Sequence, residues 1–422
     1  MTPAAIITVI SAYFAVILFI SWFTGRKSDN AGFFSGNRKQ SWYVVAIAMI
    51  GSAMSGVTFV SVPGMVATSG FGYMQMALGF IAGQIVIAFV LIPLFYRMNL
   101  VSIYGYLENR FGLSSYRTGA WFFFISKMLG ASVRLYLVCI ALQMMVFGPL
   151  GLPFIVNVAV TVLILIAYTF RGGVKAVIWI DFLKTFCMIV SIALCTIFIS
   201  KSLGFTFGSM CEAVAGSDMS RIFYFDDPDH PQYFFKQFFG GMFTLIAMTG
   251  LDQDMMQRSL TCKNFRDSQK NIITSALLQT VVIFLFLTLG VLLYFFAGAN
   301  GIDATGDTLF PAVATSGLLP AVVGIVFVVG LVSCSYAAGG SALTALTTSF
   351  TVDILGTAGK SEKEVKSMRE KVHIGMAVCM GLTIAVFNFI NNTSAIDAVY
   401  KLASYTYGPI LGMFVFGMAC KK

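Results

Sequence analysis

The apolar stretch from residue 42 to 69 contains a central cluster of small and hydroxyl-bearing residues that could hold an ion or a polar solute. Glycine adds conformational freedom, and serine and threonine compete for backbone hydrogen bonds, so we expect the helix to loosen there. Loosened backbone at membrane depth must be buried in protein or line a water-filled cavity. Close helix packing through small residues is the alternative. The cluster consists of Gly51, Ser52, Ser55, Gly56, Thr58 and Ser61.

A second cluster lies on the apolar stretch 318–352, where small and hydroxyl-bearing residues recur at helical spacing and therefore share one face. Small side chains allow another backbone to approach closely, and hydroxyl oxygens are ligands that a hard alkali cation prefers. The spacing predicts a cation site on this face, with close packing as the alternative. The stripe consists of Ser333, Ala337, Gly340, Ser341, Thr344 and Thr348.

Charged side chains inside apolar stretches are costly in a bilayer and are therefore functional candidates. Asp181 and Lys184 are three residues apart, so they could pair on one helical face. Alternatively, the buried ammonium of Lys184 stands in for a cation and exchanges a proton. Arg134 lies near the middle of its stretch, where its fork of donors suits either Asp181 or the carboxylate of a solute. We expect no carboxylate other than Asp181 in the middle of a span.

Membrane helices must hold these residues, because 58% of the chain is hydrophobic and only 11% is charged. About 20 apolar residues span a bilayer, and we predict eleven spans within one domain that covers residues 1–422. The first span lacks a small-residue cleavage site and is expected to be a retained helix. The predicted spans are 4–24, 42–69, 73–96, 118–147, 153–170, 174–200, 233–257, 271–298, 318–352, 373–391 and 395–419.

Lysine and arginine are concentrated in alternate loops, and the opposite loops contain only Lys201 and Arg221. The positive-inside tendency then predicts a multi-pass protein of the plasma (inner) membrane, with its N-terminus outside and its C-terminus in the cytoplasm. The net charge of +9 reflects this bias and gives no indication of nucleic-acid binding. Because only Cys211 lies in a predicted outer loop, no outer disulfide is expected.

The ten spans after the first divide into two halves of five, residues 42–200 and 233–419. In an inverted repeat of this kind, the first helix of each half is interrupted. The seventh span, 233–257, begins the second half, and we predict interruptions at Gly240–Gly241 and at Thr249–Gly250. Residues 1–41 then form a peripheral first helix and an inner loop.

The sequence contains no recognisable catalytic constellation. Neither a Ser-His-Asp grouping nor a phosphate-binding glycine loop followed by lysine is present, and His230 and His373 have no Cys or His cluster around them. We therefore expect neither an enzyme nor a transition-metal site.

Several motifs, in order along essentially the whole chain, resemble the sodium/solute symporter family. The resemblance implies an all-α, LeuT-like membrane fold with a 5+5 inverted-repeat core and one extra N-terminal helix. Family members usually continue for two or more spans after the core, so it also implies a shortened gene product or a fragment. The motifs are the run from Pro63 to Phe111 ending in LIPLFYRMNLVSIYGYLENRF, TFRGGVKAVIWIDFLKT (169–185), GLDQDMMQRSL (250–260), SFTVDIL (349–355) and YTYGPILGMF (405–414).

The same resemblance implies a sodium site between the broken second span and the ninth. Its ligand positions are Gly51, Met54, Ala337, Gly340 and Ser341, the first three through backbone carbonyls. Asp181 matches an aspartate that contributes to a second sodium site in some members. Many members have serine at position 340 and glutamine at 184, so Gly340 and Lys184 are departures. We expect serine at position 340 to strengthen sodium activation.

Ser55 and Thr58 match substrate-facing positions of the family. Members that transport sialic acid hold the substrate carboxylate with an arginine about one turn earlier than Arg134 on the same helix. Asp252 and Arg258 resemble the family's inner-gate or structural cluster. Further candidates for the substrate cavity are Ser61, Tyr73, Gln75, Phe243 and Thr244.

These observations predict sodium-coupled import of a small organic solute, with a carboxylate of the sialic acid or monocarboxylate type as the expected substrate. Sodium is the expected coupling ion, and no other cofactor is expected. The expected partners are Na⁺, the solute and the lipid bilayer. Two alternatives stay open: a proton-linked or sodium-independent transporter of sugars or other organic solutes, and a transporter-like solute sensor.

Overall fold

The computed structural model describes residues 3–26, 29–390, 401 and 405–420, which are almost entirely helical. Four short π-helical turns adjoin these helices, at Ile87–Leu91, Gln143–Phe147, Ile246–Gly250 and Phe350–Ile354. The helices are α1 (Pro3–Gly25), α2 (Asn30–Ser35), α3 (Trp42–Ala53), α4 (Gly56–Gly64), α5 (Val66–Ser69), α6 (Tyr73–Val86), α7 (Ile92–Arg97), α8 (Gly105–Phe111), α9 (Leu113–Leu142), α10 (Phe154–Thr169), α11 (Gly173–Ser202), α12 (Phe207–Ala215), α13 (Phe234–Leu245), α14 (Gln253–Ser259), α15 (Phe265–Ala299), α16 (Leu309–Thr315), α17 (Ala321–Ser349), α18 (Glu362–Ile390) and α19 (Tyr407–Ala419).

Seven helical segments in the described ranges are long and apolar enough to cross a membrane, or nine if each of two bent helix pairs counts as one span. The shorter apolar helices α10 and α19 lie where the sequence predicts two further spans. The last predicted span, 395–419, begins at residues outside the described ranges. The all-α membrane architecture is confirmed, and the count of eleven spans stays a prediction.

The second predicted span is broken at its cluster of small and hydroxyl-bearing residues, as the sequence predicts. Helix α3 ends at Ala53, Met54 and Ser55 are extended, and α4 begins at Gly56. The two helices meet at an angle of 67°. The Ser55 hydroxyl accepts the backbone N–H of Thr58, and the Thr58 hydroxyl accepts that of Ser55. This reciprocal cap stabilises the start of α4 after the break.

The seventh predicted span is also broken. Helix α13 continues through a π-helical turn to Gly250, and α14 begins at Gln253. The angle between the two segments is 74°. Asp252 caps α14 by accepting the backbone N–H of Met255. The interruption predicted at Thr249–Gly250 thus lies next to the observed break.

The interruption predicted at Gly240–Gly241 is wrong, because both glycines lie within α13. A Cβ on Gly241 would lie 2.6 Å from the backbone oxygen of Met76 in α6. Likewise, a Cβ on Gly79 of α6 would lie 2.1 Å from the backbone oxygen of Phe238. The missing side chains therefore allow α6 and α13 to pack backbone against backbone.

Helix α17 forms the centre of the bundle and packs against α11, α9 and α18. Between Val332 and Ser349, all of its residues except Ala338 are buried. Helix α11 also packs against α3, so α3, α11 and α17 enclose a common interior. Helix α1 lies outside this core against α11 and α17.

Candidate functional site

The last turn of α3 lies directly against α11. A Cβ on Gly51 would lie 2.5 Å from Thr185 Oγ1 and 2.8 Å from the carbonyl oxygen of Asp181, so glycine is required for this approach. Thr185 donates its hydroxyl to the carbonyl oxygen of Ile47 at 2.9 Å. The last carbonyls of a helix lack intrahelical donors, and the helix dipole gives them partial negative charge. The end of α3, including Gly51 and Met54, is therefore chemically suited to a cation.

The six residues of the stripe on α17 are all buried. Ser341 donates its hydroxyl to Asp254 Oδ1 at 2.7 Å and lines the same cavity as Ser52 of α3. Thr344 donates its hydroxyl to the carbonyl oxygen of Gly340 at 2.9 Å. A donating hydroxyl still has lone pairs that can accept or coordinate. The Ser341 hydroxyl could therefore coordinate a cation on this face while it donates to Asp254.

The space beside Gly340 is filled by Tyr168 of α10. A Cβ on Gly340 would lie 2.0 Å from the Tyr168 hydroxyl oxygen and 2.4 Å from two of its ring carbons. Tyr168 is buried and donates its hydroxyl to the carbonyl oxygen of Tyr336. Serine at position 340 therefore requires Tyr168 to move, and its expected effect on sodium activation stays a prediction.

Asp181 and Lys184 are both fully buried on α11, but they do not form an ion pair. Asp181 Oδ2 accepts from Arg258 Nε at 3.0 Å and from Ser52 Oγ at 2.8 Å. Among the described residues, Lys184 Nζ has no hydrogen-bond partner. The predicted pairing of Asp181 with Lys184 is therefore wrong, because the guanidinium of Arg258 reaches the carboxylate from α14.

Arg258 also belongs to a chain of buried ion pairs that the sequence does not reveal. Its Nη1 lies 2.9 Å from Asp254 Oδ1, and Lys127 Nζ lies 2.7 Å from Asp254 Oδ2 and 3.2 Å from Asp252 Oδ2. Asp181 is not the only buried carboxylate beside the cavities, because the break before α14 carries Asp252 and Asp254 into the interior. The available signal was the position of these aspartates directly after a predicted interruption.

Two cavities meet at Arg134. The smaller, of about 170 Å³, also includes the polar residues Ser52, Lys127, Asp254, Ser341 and Tyr407 in its lining. The larger, of about 240 Å³, is mainly apolar but includes Ser55, Gly56 and Asp307. The residues that line both cavities are Arg134, Ser335 and Ala338. A guanidinium, a hydroxyl and a broken helix therefore surround the space where the cavities adjoin.

Other predicted substrate residues lie outside these two cavities. Gln75 is buried, and its amide donates to the backbone oxygen of Gln232 at 2.9 Å and accepts the backbone N–H of Tyr224 at 3.1 Å. Phe243 is 53% exposed. The remaining positions outside both linings are Thr58, Ser61, Tyr73 and Thr244. Ser55 and Arg134 thus line one cavity, whereas the predicted substrate residues on α6 and α13 do not line it.

The model of the sodium:solute symporter family matches residues 33–422. A sodium/sialic acid symporter of Aliivibrio fischeri is 25% identical to this chain, over 97% of this chain and 82% of that protein. The human sodium/iodide cotransporter is 24% identical over 95% of this chain, which covers 63% of the human protein.

The structure of a Na⁺-coupled sialic acid symporter, solved in a substrate-bound outward-open state, superposes with a TM-score of 0.85. The two sequences are 19% identical, and the superposition covers 99% of this chain and 87% of the other. The expected fold is confirmed, as is the expected class, a sodium-coupled membrane transporter and not an enzyme. The chain belongs to the sodium:solute symporter family.

Proposed function

We propose that this chain imports a small organic anion, a carboxylate of the sialic acid or monocarboxylate type, together with sodium. The bias of lysine and arginine toward alternate loops supports a plasma (inner) membrane location, with the N-terminus outside and the C-terminus in the cytoplasm. The two halves of the transporter core are residues 42–200 and 233–419. The lipid bilayer, Na⁺ and the solute are its partners.

The observation that carries the anion proposal is the position of Arg134, which lines both cavities. Its guanidinium offers a planar fork of donors that matches a carboxylate. Ser55 and Gly56, where α4 begins, line the larger cavity. The first N–H groups of a helix and its dipole favour negative charge, so two features of positive potential border the same space. Two of the relatives, the sodium/sialic acid symporter and the sodium/iodide cotransporter, are likewise named for solutes that are anions.

Sodium binding is assigned to the junction of α3 and α17. The carbonyl oxygens of Gly51, Met54 and Ala337 and the hydroxyl of Ser341 supply the oxygen ligands that an alkali cation prefers. A cation at this junction holds the end of α3 against α17. Because α3 continues through Ser55 into α4, the cation and the solute act on the same broken segment. This shared segment is the proposed basis of coupling.

Substitution of Arg134 tests the anion proposal. Arg134→Lys keeps the charge but loses the fork of donors, and Arg134→Gln loses both. We expect sodium-driven uptake of a carboxylate into proteoliposomes to fall at least about tenfold in Arg134→Lys, equivalent to about 1.4 kcal/mol, and further in Arg134→Gln. Arg117→Gln is the matched control, because Arg117 is exposed on the same helix and lies outside both cavities.

Uptake of neutral sugars that Arg134→Gln leaves undisturbed would contradict the proposal and make Arg134 a structural residue. Uptake that follows a proton gradient and ignores sodium would favour the proton-linked alternative. Solute binding without any uptake would favour a sensor.

A further inference from the structure

The buried ion pairs around Asp181 alternate in sign and begin and end with a carboxylate. They run from Asp252 through Lys127, Asp254 and Arg258 to Asp181. Within the described residues, Arg258 is the one ion-pair partner of Asp181, and it is shared with Asp254. A buried carboxylate is costly unless a nearby charge compensates it, so a further cation beside Asp181 would be stabilising.

Only one of the two carboxylate oxygens of Asp181 is hydrogen-bonded in the described part of the chain. Its Oδ2 accepts from Arg258 and Ser52, whereas its buried Oδ1 has no hydrogen-bond partner in the described part of the chain. Lys184, one turn further along α11, is fully buried, and its Nζ likewise lacks a hydrogen-bond partner there. A carboxylate oxygen and an ammonium that both lack hydrogen bonds are thus three residues apart on one helix.

The side chain of Lys184 also lies at the end of α3. Its Cδ is 3.5 Å from the position that a Cβ on Gly51 would take. The C-terminal end of a helix carries partial negative charge and stabilises a cation nearby. The charged groups that act on Lys184 electrostatically are Asp181, Arg258 and Arg134. The carboxylate of Asp181 and the end of α3 are the features that favour a cation at this position.

We infer that Lys184 is a resident cation that compensates Asp181 and keeps a sodium ion away from it. The inference rests on the proposed function and specifies its sodium stoichiometry. Sodium coupling then uses the junction of α3 and α17 alone. A neutral residue at position 184 converts Asp181 into an additional sodium site.

The test counts sodium ions bound to the purified protein at equilibrium, with radioactive sodium as the probe. Lys184→Gln removes the ammonium and keeps a polar side chain, and we expect it to bind about one sodium ion more per protein than the wild type. Adding Asp181→Asn to this variant removes the negative charge as well and should return the number to the wild-type value. An unchanged number in Lys184→Gln overturns the inference.

If Lys184→Gln folds too poorly for sodium ions to be counted, the effect of sodium on its thermal unfolding midpoint is measured instead. Sodium should raise the unfolding midpoint of Lys184→Gln, or of Lys184→Met, more than that of the wild type, because a ligand of the folded state stabilises it. Variants that stay unfolded at saturating sodium overturn the inference, since sodium then fails to replace the ammonium.

Asp181→Asn in the wild-type background is an independent measurement. It should leave the number of bound sodium ions unchanged, and loss of an ion would show that Asp181 already binds sodium and would overturn the inference. Failure of the proposed function would give a different result in these binding measurements. The wild type would then bind no sodium or no carboxylate, whereas the additional ion in Lys184→Gln would still be measured.

Discussion

Gly340 and Tyr168 form one structural unit, although they lie on different helices. The Tyr168 ring fills the volume beside Gly340, and its hydroxyl is bonded to the carbonyl oxygen of Tyr336, one turn before Gly340. A residue change at either position therefore cannot be interpreted without the other. The absence of a hydroxyl side chain at position 340 is a consequence of packing as well as a change in the sodium site.

Gly340→Ser should lower stability by about 1–3 kcal/mol, because added atoms in a packed core force neighbours to shift. Thermal unfolding of the purified protein measures this loss. The double variant Gly340→Ser/Tyr168→Leu should recover part of it and bind sodium more tightly than the wild type. Gly375→Ser is the control, since Gly375 is exposed on α18 and a Cβ there meets nothing within 4 Å. Full stability and tighter sodium binding in Gly340→Ser alone would contradict this account.

The sequence indicates Asp181 as a candidate functional residue but does not indicate its ion-pair partner. An aspartate inside an apolar stretch is a functional candidate wherever it occurs. Its ion-pair partner Arg258 is 77 positions away and reaches Asp181 from the helix after the second break. The residue three positions away, Lys184, was the plausible partner by spacing. Whether Arg258 or Lys184 pairs with Asp181 depends on the direction in which α14 enters the bundle. The sequence around Asp181 does not specify that direction.

Glycine has a different structural role in each of the two broken spans. At Gly51 and Gly56, glycine accompanies hydroxyl-bearing residues, and the helix breaks between them. At Gly240 and Gly241, the helix continues and Gly241 permits close contact with α6. Flexibility and close packing both favour glycine, so the residue alone does not distinguish them. Whether a glycine permits a close helix contact depends on the position of the neighbouring helix, which is set by the fold.

Gly240 and Gly241 are adjacent in α13, so alanine at position 240 serves as the control for alanine at position 241. Gly241→Ala places a Cβ 2.6 Å from the backbone oxygen of Met76, so we expect a loss of about 1–3 kcal/mol in the free energy of unfolding. Gly240→Ala meets nothing within 4 Å and should be neutral or stabilising by up to about 1 kcal/mol. Denaturant or thermal unfolding compares the two variants. Equal effects would mean that α6 and α13 are not in close contact.

One buried polar network connects most of the elements that surround the cavities. Ser52 of α3 bonds to Asp181 of α11, Ser341 of α17 bonds to Asp254 of α14, and Tyr407 of α19 bonds to Asp252. Several of these residues line the smaller cavity. The network therefore joins α3, α11, α14, α17 and α19 around this cavity.

At the scale of the whole molecule, hydropathy was sufficient to predict an all-α membrane protein, and the small and hydroxyl-bearing clusters predicted two broken spans, whereas the LeuT-like arrangement was implied by the resemblance of motifs. Each of these signals is local in sequence or additive over the chain, so no knowledge of packing was needed. The ion-pair network and the two cavities depend on which helix faces come together. For that reason Asp254, which is central to the site, could not be selected from the sequence.

Uptake against a concentration gradient tests the central claim, sodium-driven import of a carboxylate, most directly. Proteoliposomes that contain the purified chain are given an inward sodium gradient without a proton gradient, and sialic acid, monocarboxylates and neutral sugars are compared. We predict that a carboxylate accumulates above its external concentration and that accumulation ends when the sodium gradient is dissipated. Accumulation that requires a proton gradient and ignores sodium, or binding without accumulation of any solute, would contradict the account.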